Sequence, residues 1–414
     1  MTLSPRPPWN GRRVVLGVTG GIAAYKSIQV ARDLSRLGAT VDVVLTRAAQ
    51  EFVAPLSFEG VTGRPALTDL FSAEGAALHI RLGRDADVVC VAPATADFLA
   101  RAAQGRADDL LCTTLLATRA PVVVCPAMND RMFAHPQVQE NLAHLRDALA
   151  YTVAGPAEGA LAVGEGEGPG RMIEPWQIEE AIGRALGTSD TLLNRHVLVT
   201  AGPTREPIDP VRYVGNRSSG RMGYAIAQAA WRRGARVTLV SGPSSLDPPF
   251  GVEHVGVETA REMHDAVAAR IGDADVSVFA AAVADFRPAD PADRKMKRAE
   301  TGPSLTVPLE ENPDVARDTR QARKSGSVTV GFALETDDLL ANARRKLESK
   351  GFDLLVANDA TEEGAGFGVP TNRVTILSPG GGADALPLQS KEEVAEALMD
   401  RIEALLRDGA GERT

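Results

Sequence analysis

The stretch Val14-Val15-Leu16-Gly17-Val18-Thr19-Gly20-Gly21-Ile22-Ala23-Ala24 runs a β-branched apolar strand into a glycine pair and then into a helix. Behind it, Ala24, Ile28, Ala31, Leu34 and Leu37 recur at helical spacing, Gly38 ends the pattern, and Val41 to Leu45 reads as the next strand. This is a βαβ unit, whose crossover is right-handed. A second start of the same design begins at His196 to Thr200, passes through Ala201-Gly202-Pro203-Thr204 and a long loop to Ser218-Ser219-Gly220, and enters a helix from Gly223 to Arg233. Gly234 stops that helix, and Val237 to Val240 is the following strand. Further apolar runs are Val88 to Val91, Val122 to Val124, Val276 to Ala280, Val328 to Gly331 and Leu354 to Val356. Continuous apolar strands alternating with helical patterns predict parallel sheets covered on both faces. The fold class is therefore α/β, with two doubly wound, Rossmann-like parallel-sheet domains. The polar stretch Gly187-Thr188-Ser189-Asp190-Thr191 suits a linker, which gives domains at 1–189 and 190–414. Residues Gly155 to Gly170 read as a mobile loop or flap, Arg373 to Leu388 as a terminal hairpin, and Glu392 to Leu406 as an amphipathic helix.

The chain has 414 residues, 44% hydrophobic and 24% charged, the balance of a globular protein with a real core. Its formal net charge of −9 argues against nucleic acid or an anionic membrane as partner, since both reward a basic face. The three cysteines, Cys90, Cys112 and Cys125, sit in apolar runs without CxxC spacing, which fits a reducing compartment. With no apolar run of membrane-spanning length, the expectation is a cytoplasmic protein.

In an open parallel sheet, ligands bind beyond the carboxyl ends of the strands. Thr19-Gly20-Gly21-Ile22 brings backbone N–H groups and a helix dipole to bear on an anion. A plain tight turn explains the same glycines. The pattern is not GxGxxG, and the second strand ends at Thr46 rather than an acid, which weighs against a dinucleotide. Ala92-Pro93-Ala94-Thr95-Ala96-Asp97 and Pro126-Ala127-Met128-Asn129 place short polar side chains at two more strand ends, where helix caps are the alternative. His79 precedes a strand, and on the residues alone a structural histidine is the favoured reading. In the second half, Thr204 to Tyr213 leads to Asn216-Arg217-Ser218-Ser219-Gly220-Arg221, a cradle for an anion. Asp285 with Lys295 and Lys297 beyond it suits a metal–triphosphate or else a solvated charged loop, and Lys346 and Lys350 share one helix face as either solvent residues or nucleotide clamps. No Walker A sequence is present.

In their order, these motifs resemble the bifunctional phosphopantothenoylcysteine decarboxylase / phosphopantothenate–cysteine ligase family of coenzyme A biosynthesis. The most specific pieces are Gly20 to Lys26, Ala92 to Asp97, Pro126 to Asn129, Thr200 to Pro207, Asn216 to Gly220, Ala281 to Asp285, Asn312-Pro313-Asp314 and Val356 to Asp359. The resemblance implies an N-terminal flavoprotein domain and a C-terminal CTP-dependent ligase domain. FMN would be held by Gly20, Gly21, Ile22, Thr46, Thr95, Ala96, Asp97, Phe98 and Ala127. His79 would be the base and Asn129 would hold the substrate carboxylate. In the ligase, Lys295 would aid formation of an acyl-cytidylate from 4'-phosphopantothenate and CTP, and Asn216 would stabilise it before cysteine attacks. CTP would contact Phe279, Ala280, Ala281, Asp285, Lys295, Asn312, Pro313, Asp314, Val315, Phe332, Lys346 and Lys350, with Mg²⁺ at Asp285. The substrate phosphate would meet Arg212, Ser218 and Ser219. A homo-oligomer is also implied: trimeric decarboxylase cores and dimeric ligase domains, up to a dodecamer.

One departure stands out. The family's flap carries a cysteine acid before Gly-Pro-Gly-Arg-Met; here the segment Leu161 to Met172 has Val163 in its place and one extra residue. Valine gives no proton, so Glu165, Glu167 or water would serve, or the reaction would stall at the enethiol. Two other readings follow: a protein whose flavin half is impaired or regulatory, and a nicotinamide-dependent Rossmann reductase.

Overall fold

The computed structural model describes the chain except residues 1–2, 72–76, 161–165, 298–303, 336–337, 360–361, 363, 365, 367 and 412–414. Val163 and Glu165 lie outside the described residues. The chain divides into two units, Met1–Thr188 and Ser189–Thr414.

In the first unit β1 (Arg13–Val18), α1 (Ala24–Arg36) and β2 (Thr40–Leu45) form the opening βαβ unit. Helices α2 (Pro55–Thr62) and α3 (Leu78–Asp85) lead to β3 (Val88–Ala94), and α4 (Ala96–Ala103) and α5 (Leu110–Ala117) to β4 (Val122–Pro126). Then come α6 (Asp130–Ala134), α7 (Pro136–Asp147), β5 (Thr152–Val153), the hairpin β6 (Ala157–Ala160) and β7 (Glu167–Arg171), and α8 (Pro175–Gly187). The main sheet has the order β2-β1-β3-β4-β5 and every pairing is parallel. Helices α3, α4, α5 and α7 bury Leu82, Leu99, Leu111 and Leu142 against Val15, Val89 and Val124 on one face. Helices α1 and α8 cover the other. With both faces covered, the strands have no polar side to show, which is why they read as unbroken apolar runs.

The second unit opens with β8 (His196–Ala201), the short hairpin β9 (Arg205–Pro207) and β10 (Tyr213–Gly215), and α9 (Arg221–Arg232). It continues through β11 (Arg236–Ser241), β12 (Glu253–Gly256), α10 (Ala260–Ala268), β13 (Val276–Phe279), and the pair β14 (Phe286–Pro288) and β15 (Leu309–Glu311). Next are α11 (Val315–Asp318), β16 (Val328–Glu335), α12 (Leu339–Lys350) and β17 (Leu354–Asp359). The C-terminal elements are β18 (Thr371–Asn372), β19 (Thr375–Leu377), β20 (Ala383–Ala385), β21 (Gln389–Ser390) and α13 (Lys391–Gly411). The sheet order is β12-β11-β8-β13-β16-β17-β19-β20, parallel as far as β17 and antiparallel beyond. Helices α9 and α13 pack one face through Ile226, Leu398 and Ile402. They are also joined by Arg232 and Arg233, whose guanidiniums meet Glu396 at 2.7 and 2.8 Å.

Two stretches read as loops turn out to be paired. Gly155 to Gly170 is built on the antiparallel strands β6 and β7, whose cross-strand bonds give the glycine-rich chain a shape that its composition hides. The loop after Thr204 contains the β9–β10 hairpin, which pairs Glu206 with Val214.

Candidate functional sites

A cavity of about 1150 Å³ opens where β1, β2, β3 and β4 end, larger than most small-ligand clefts. Thr19, Gly20, Gly21 and Ile22 line it from the first strand, Thr46 from the second, Thr95, Ala96 and Asp97 from the third, and Ala127 and Asn129 from the fourth. Hydroxyl groups brace these ends. Thr19 Oγ1 donates to the Pro93 carbonyl at 2.7 Å and accepts from the Thr95 amide at 3.2 Å. Thr95 caps α4 by accepting from the Phe98 amide, and Thr46 Oγ1 accepts from the Ala49 amide. A side chain on Gly20 would sit 2.4 Å from the Ala48 Cβ, so only glycine lets the first two strand-end loops touch. The glycine-rich loop ends at the start of α1, so the helix dipole points into the cavity.

The β6–β7 hairpin forms one wall of this cavity. Met128 N–H donates to the Gly170 carbonyl at 3.0 Å. Gly170 has φ +146°, and a Cβ there would lie 2.3 Å from the Met128 carbonyl oxygen. The hairpin is thus seated directly on the loop that carries Asn129. Lys26, buried, fastens its base from α1 by donating to the Met172 carbonyl at 3.2 Å and to Glu174 at 3.0 Å. Asp97 is neutralised by Arg101 at 3.1 Å, and Arg101 also holds Asp109 at 2.6 Å.

At the carboxyl ends of the strands in the second unit, two cavities carry expected site residues. One, about 440 Å³, is lined by Phe279, Ala281, Asp285, Asn312, Pro313, Asp314, Val315, Phe332, Lys346 and Lys350, with Thr200 and Phe352 besides. Its rim is fixed by side chains reaching backbone: Thr200 Oγ1 accepts from the Ala281 amide, Thr204 Oγ1 from the Ala284 amide, and Asn312 donates to the Ala284 carbonyl. Lys350 pairs with Asp314 at 2.9 Å, which together with the Arg317 amide holds that carboxyl below its usual range against the effect of burial. The other cavity, about 480 Å³, is lined by Arg205, Tyr213, Asn216, Arg217, Ser218 and Ser219. Asn216 joins the two: its amide donates to the Ala282 and Val283 carbonyls at 3.0 and 3.2 Å.

Residues 4–187 match the family model described as Flavoprotein, and residues 192–406 match the DNA/pantothenate metabolism flavoprotein C-terminal domain. The coenzyme A biosynthesis bifunctional protein CoaBC of Vibrio vulnificus (strain YJ016) is 46% identical over 398 residues, 96% of this chain and 98% of that protein. Its counterpart in Escherichia coli (strain K12) is 44% identical over 395 residues, 95% of this chain and 97% of the other. That of Bacillus subtilis (strain 168) is 43% identical over 410 residues, 98% and 100%. This chain belongs to the CoaBC family. Among solved structures, the C-terminal domain of a CoaBC protein aligns over 53% of this chain and 100% of its own, at 39% identity and a TM-score of 0.45.

Several expected site residues stand outside the cavities. His79 is in the first turn of α3, half-buried, with its Nδ1 buried and unpartnered, and it does not line the large cavity. Phe98 is fully buried in the core, so only its backbone faces the α4 start. Arg212 does not line the anion cavity: its guanidinium grips Asp209 through Nε at 3.0 Å and through Nη2, and donates to the Met296 carbonyl at 2.9 Å. Arg205 and Arg217 line that cavity instead. Arg205, stacked 4.8 Å above Tyr213, was present in the loop but had no spacing to single it out. Ala280 and Lys295 also fall outside the lining of the nucleotide-sized cavity. Lys295 precedes Met296, whose amide donates to Asp209 at 3.2 Å, so the Asp209–Arg212 pair anchors its segment. Asp285 lines the cavity as an exposed carboxylate, with Glu311 and Asp314 also in the lining; among the described residues, the one group of three metal-ligand side chains is Asp108, Asp109 and Cys112 in the first unit. All three cysteines are buried, and burial beside Asp109 pushes the Cys112 thiol up to about 12. No described helix is long and apolar enough to cross a membrane.

Proposed function

We propose that the chain performs two consecutive steps of coenzyme A biosynthesis. The Ser189–Thr414 unit joins cysteine to 4'-phosphopantothenate at the expense of CTP, and the Met1–Thr188 unit decarboxylates the resulting phosphopantothenoylcysteine with FMN. The observation that carries this reading is the pairing of two kinds of strand-end cavity in one chain, on a sequence matched end to end by bifunctional relatives.

In the ligase unit the carboxylate of phosphopantothenate attacks the α-phosphorus of CTP, pyrophosphate leaves, and the acyl-cytidylate forms. The cysteine amine then attacks the acyl carbon and CMP departs with the bonding pair. Lys346 and Lys350 neutralise phosphate oxygens, and Asp285 would hold a Mg²⁺, which would offset further phosphate charge. Asn216 is set between the two cavities, where an amide N–H can follow charge developing on the acyl oxygen. Ser218 and Ser219, with Arg205 and Arg217, suit the substrate phosphate. Lys295 assists activation from the segment beside Asp209.

In the decarboxylase unit the residues fit FMN. The Gly20–Ile22 loop, at the positive end of α1, suits its phosphate, Thr46 and Thr95 offer hydroxyls, and the volume leaves room for a substrate beside the ring. FMN, when bound, supplies the reversible two-electron chemistry that lets CO₂ leave. Asn129 holds the departing carboxylate, and the hairpin seated on its loop keeps water out. His79, away from the cavity within one chain, acts as base only in the homo-oligomer that the resemblance implies. An impaired or regulatory flavin half gains no support from relatives that are bifunctional along their whole length.

The test mixes the protein with 4'-phosphopantothenate, cysteine, CTP and Mg²⁺. The expected result is CMP, pyrophosphate and CO₂ in equal amounts from a yellow protein. Absence of pyrophosphate removes the ligase reading; absence of bound flavin removes the decarboxylase reading.

A further inference from the structure

We propose that Arg323 is a positioning residue for ligation: a guanidinium behind the wall of the nucleotide cavity that holds together the aromatic rings and helix ends shaping it. The inference rests on reading that cavity as the CTP site.

Arg323 follows a 3-10 turn, Arg320–Ala322. Its guanidinium carbon lies 5.5 Å from the centroid of the Phe279 ring and 5.6 Å from that of Phe352, and the two rings are 5.8 Å apart. Its Nη2 donates to the Ala316 carbonyl in α11 at 2.6 Å. Its Nη1 donates to the Lys350 and Gly351 carbonyls, at the end of α12, at 3.3 and 3.2 Å. Phe279, Ala316, Lys350 and Phe352 all line the cavity, whereas Arg323 does not. Any effect of this cation on the bound nucleotide is therefore transmitted through them.

The physical reasons for a cation here are additive. The last carbonyls of a helix lack intrahelical donors and carry the negative end of its dipole. The faces of the two rings attract the same charge. Against this, Nε is buried without a partner, and burial with Arg320 nearby lowers the pKa of Arg323 from the ordinary arginine value. An unsatisfied, half-buried guanidinium N–H costs stability that an apolar side chain would avoid. What an apolar side chain cannot do is grip two segments distant in sequence at once. On the opposite side the same two segments are joined by the Lys350–Asp314 ion pair, with Asp314 capping α11 through the Arg317 amide at 3.1 Å. Freed from Arg323, both the lysine and its carboxylate partner lose their fixed spacing.

The experiment follows pyrophosphate release by the full chain and compares wild type with Arg323→Met and Arg323→Lys. Methionine fills the space beside the two rings and loses the carbonyl bonds; lysine keeps a cation without the fork. The expected result for Arg323→Met is a KM for CTP raised about tenfold, equivalent to about 1.4 kcal/mol, with the KM for cysteine unchanged. Arg323→Lys falls between Met and wild type. Partial misfolding lowers the apparent kcat and leaves KM alone, so it does not imitate this pattern. An unchanged KM for CTP in Arg323→Met, or a parallel rise in the KM for cysteine, overturns the proposal. If wild type itself releases no pyrophosphate from CTP, the ligase reading has failed, and that is seen before any variant is compared.

Discussion

Gly20 shows how much a single side chain can decide. Its missing Cβ leaves 2.4 Å to the Ala48 Cβ and 2.8 Å to the Ala48 carbonyl carbon, distances that no real methyl group tolerates. Gly20→Ala therefore pushes apart the two loops that line the flavin cavity, while both strands stay buried. Overpacking of this kind costs roughly 1–3 kcal/mol, so FMN affinity is expected to fall about ten- to hundredfold. Flavin absorbance of the purified protein against added FMN measures it, and retention at wild-type level refutes the assignment. The missing flap cysteine poses a second question at the level of one side chain. Val163 has no acidic proton, and the described cysteines are buried, with Cys112 raised to about 12. Either Glu167 at the start of β7, Glu165 or water would supply the last proton, or the reaction would stop at the enethiol. The product from phosphopantothenoylcysteine is expected to be phosphopantetheine; an enethiol two hydrogens lighter in the mass spectrum shows that no substitute donor exists.

Between α1 and α8 the packing carries a charge that the fold keeps neutral. Glu179 on α8 is buried close to Asp33 on α1, and burial first, then that neighbour, pushes its pKa from 4.5 up to about 9. The sign follows from proton uptake: between these values the folded chain holds a proton that the unfolded chain has released. This contribution to stability is complete below pH 4.5 and is lost as pH rises through 9. Glu179→Gln removes the titration, so its Tm is expected to exceed wild type by a few degrees at pH 8 and to match it at pH 4. A Tm difference that does not change with pH rules this out. The elements themselves were legible because each strand of a doubly covered sheet is an apolar run and each strand-end loop carries its ligand groups in sequence order. The hairpin at Ala157–Arg171 was not, since its strands are polar and glycine-rich and are defined only by their cross-strand pairing. Nor was the Arg212–Asp209 contact: the resemblance gave Arg212 for the substrate phosphate, and nothing in the loop's spacing shows that its guanidinium meets Asp209. Arg323, Phe279 and Phe352 meet from three separate elements, and no spacing announces that.

Two units with separate cores and separate cavities imply two chemistries that can be silenced one at a time. The net charge of −9 gives anionic ligands no general attraction, so if the two cavities take CTP and phosphopantothenate as proposed, local cations such as Lys350 and Arg217 would hold them. Lys350→Met removes a phosphate-facing charge and the partner of Asp314, and charge-assisted contacts of this kind contribute roughly 1.5–3 kcal/mol. Pyrophosphate release at low CTP is expected to drop by about ten- to hundredfold. Phosphopantothenoylcysteine supplied from outside is expected to lose CO₂ at the wild-type rate, with flavin content unchanged. Gly20→Ala should give the converse: CMP and pyrophosphate form normally, CO₂ does not, and phosphopantothenoylcysteine accumulates. The ratio of CO₂ to CMP reads both variants in one assay, near one in wild type and near zero in Gly20→Ala. If Lys350→Met slows decarboxylation of supplied phosphopantothenoylcysteine as much as it slows ligation, the two halves do not work as independent sites, and the division of labour drawn here is wrong.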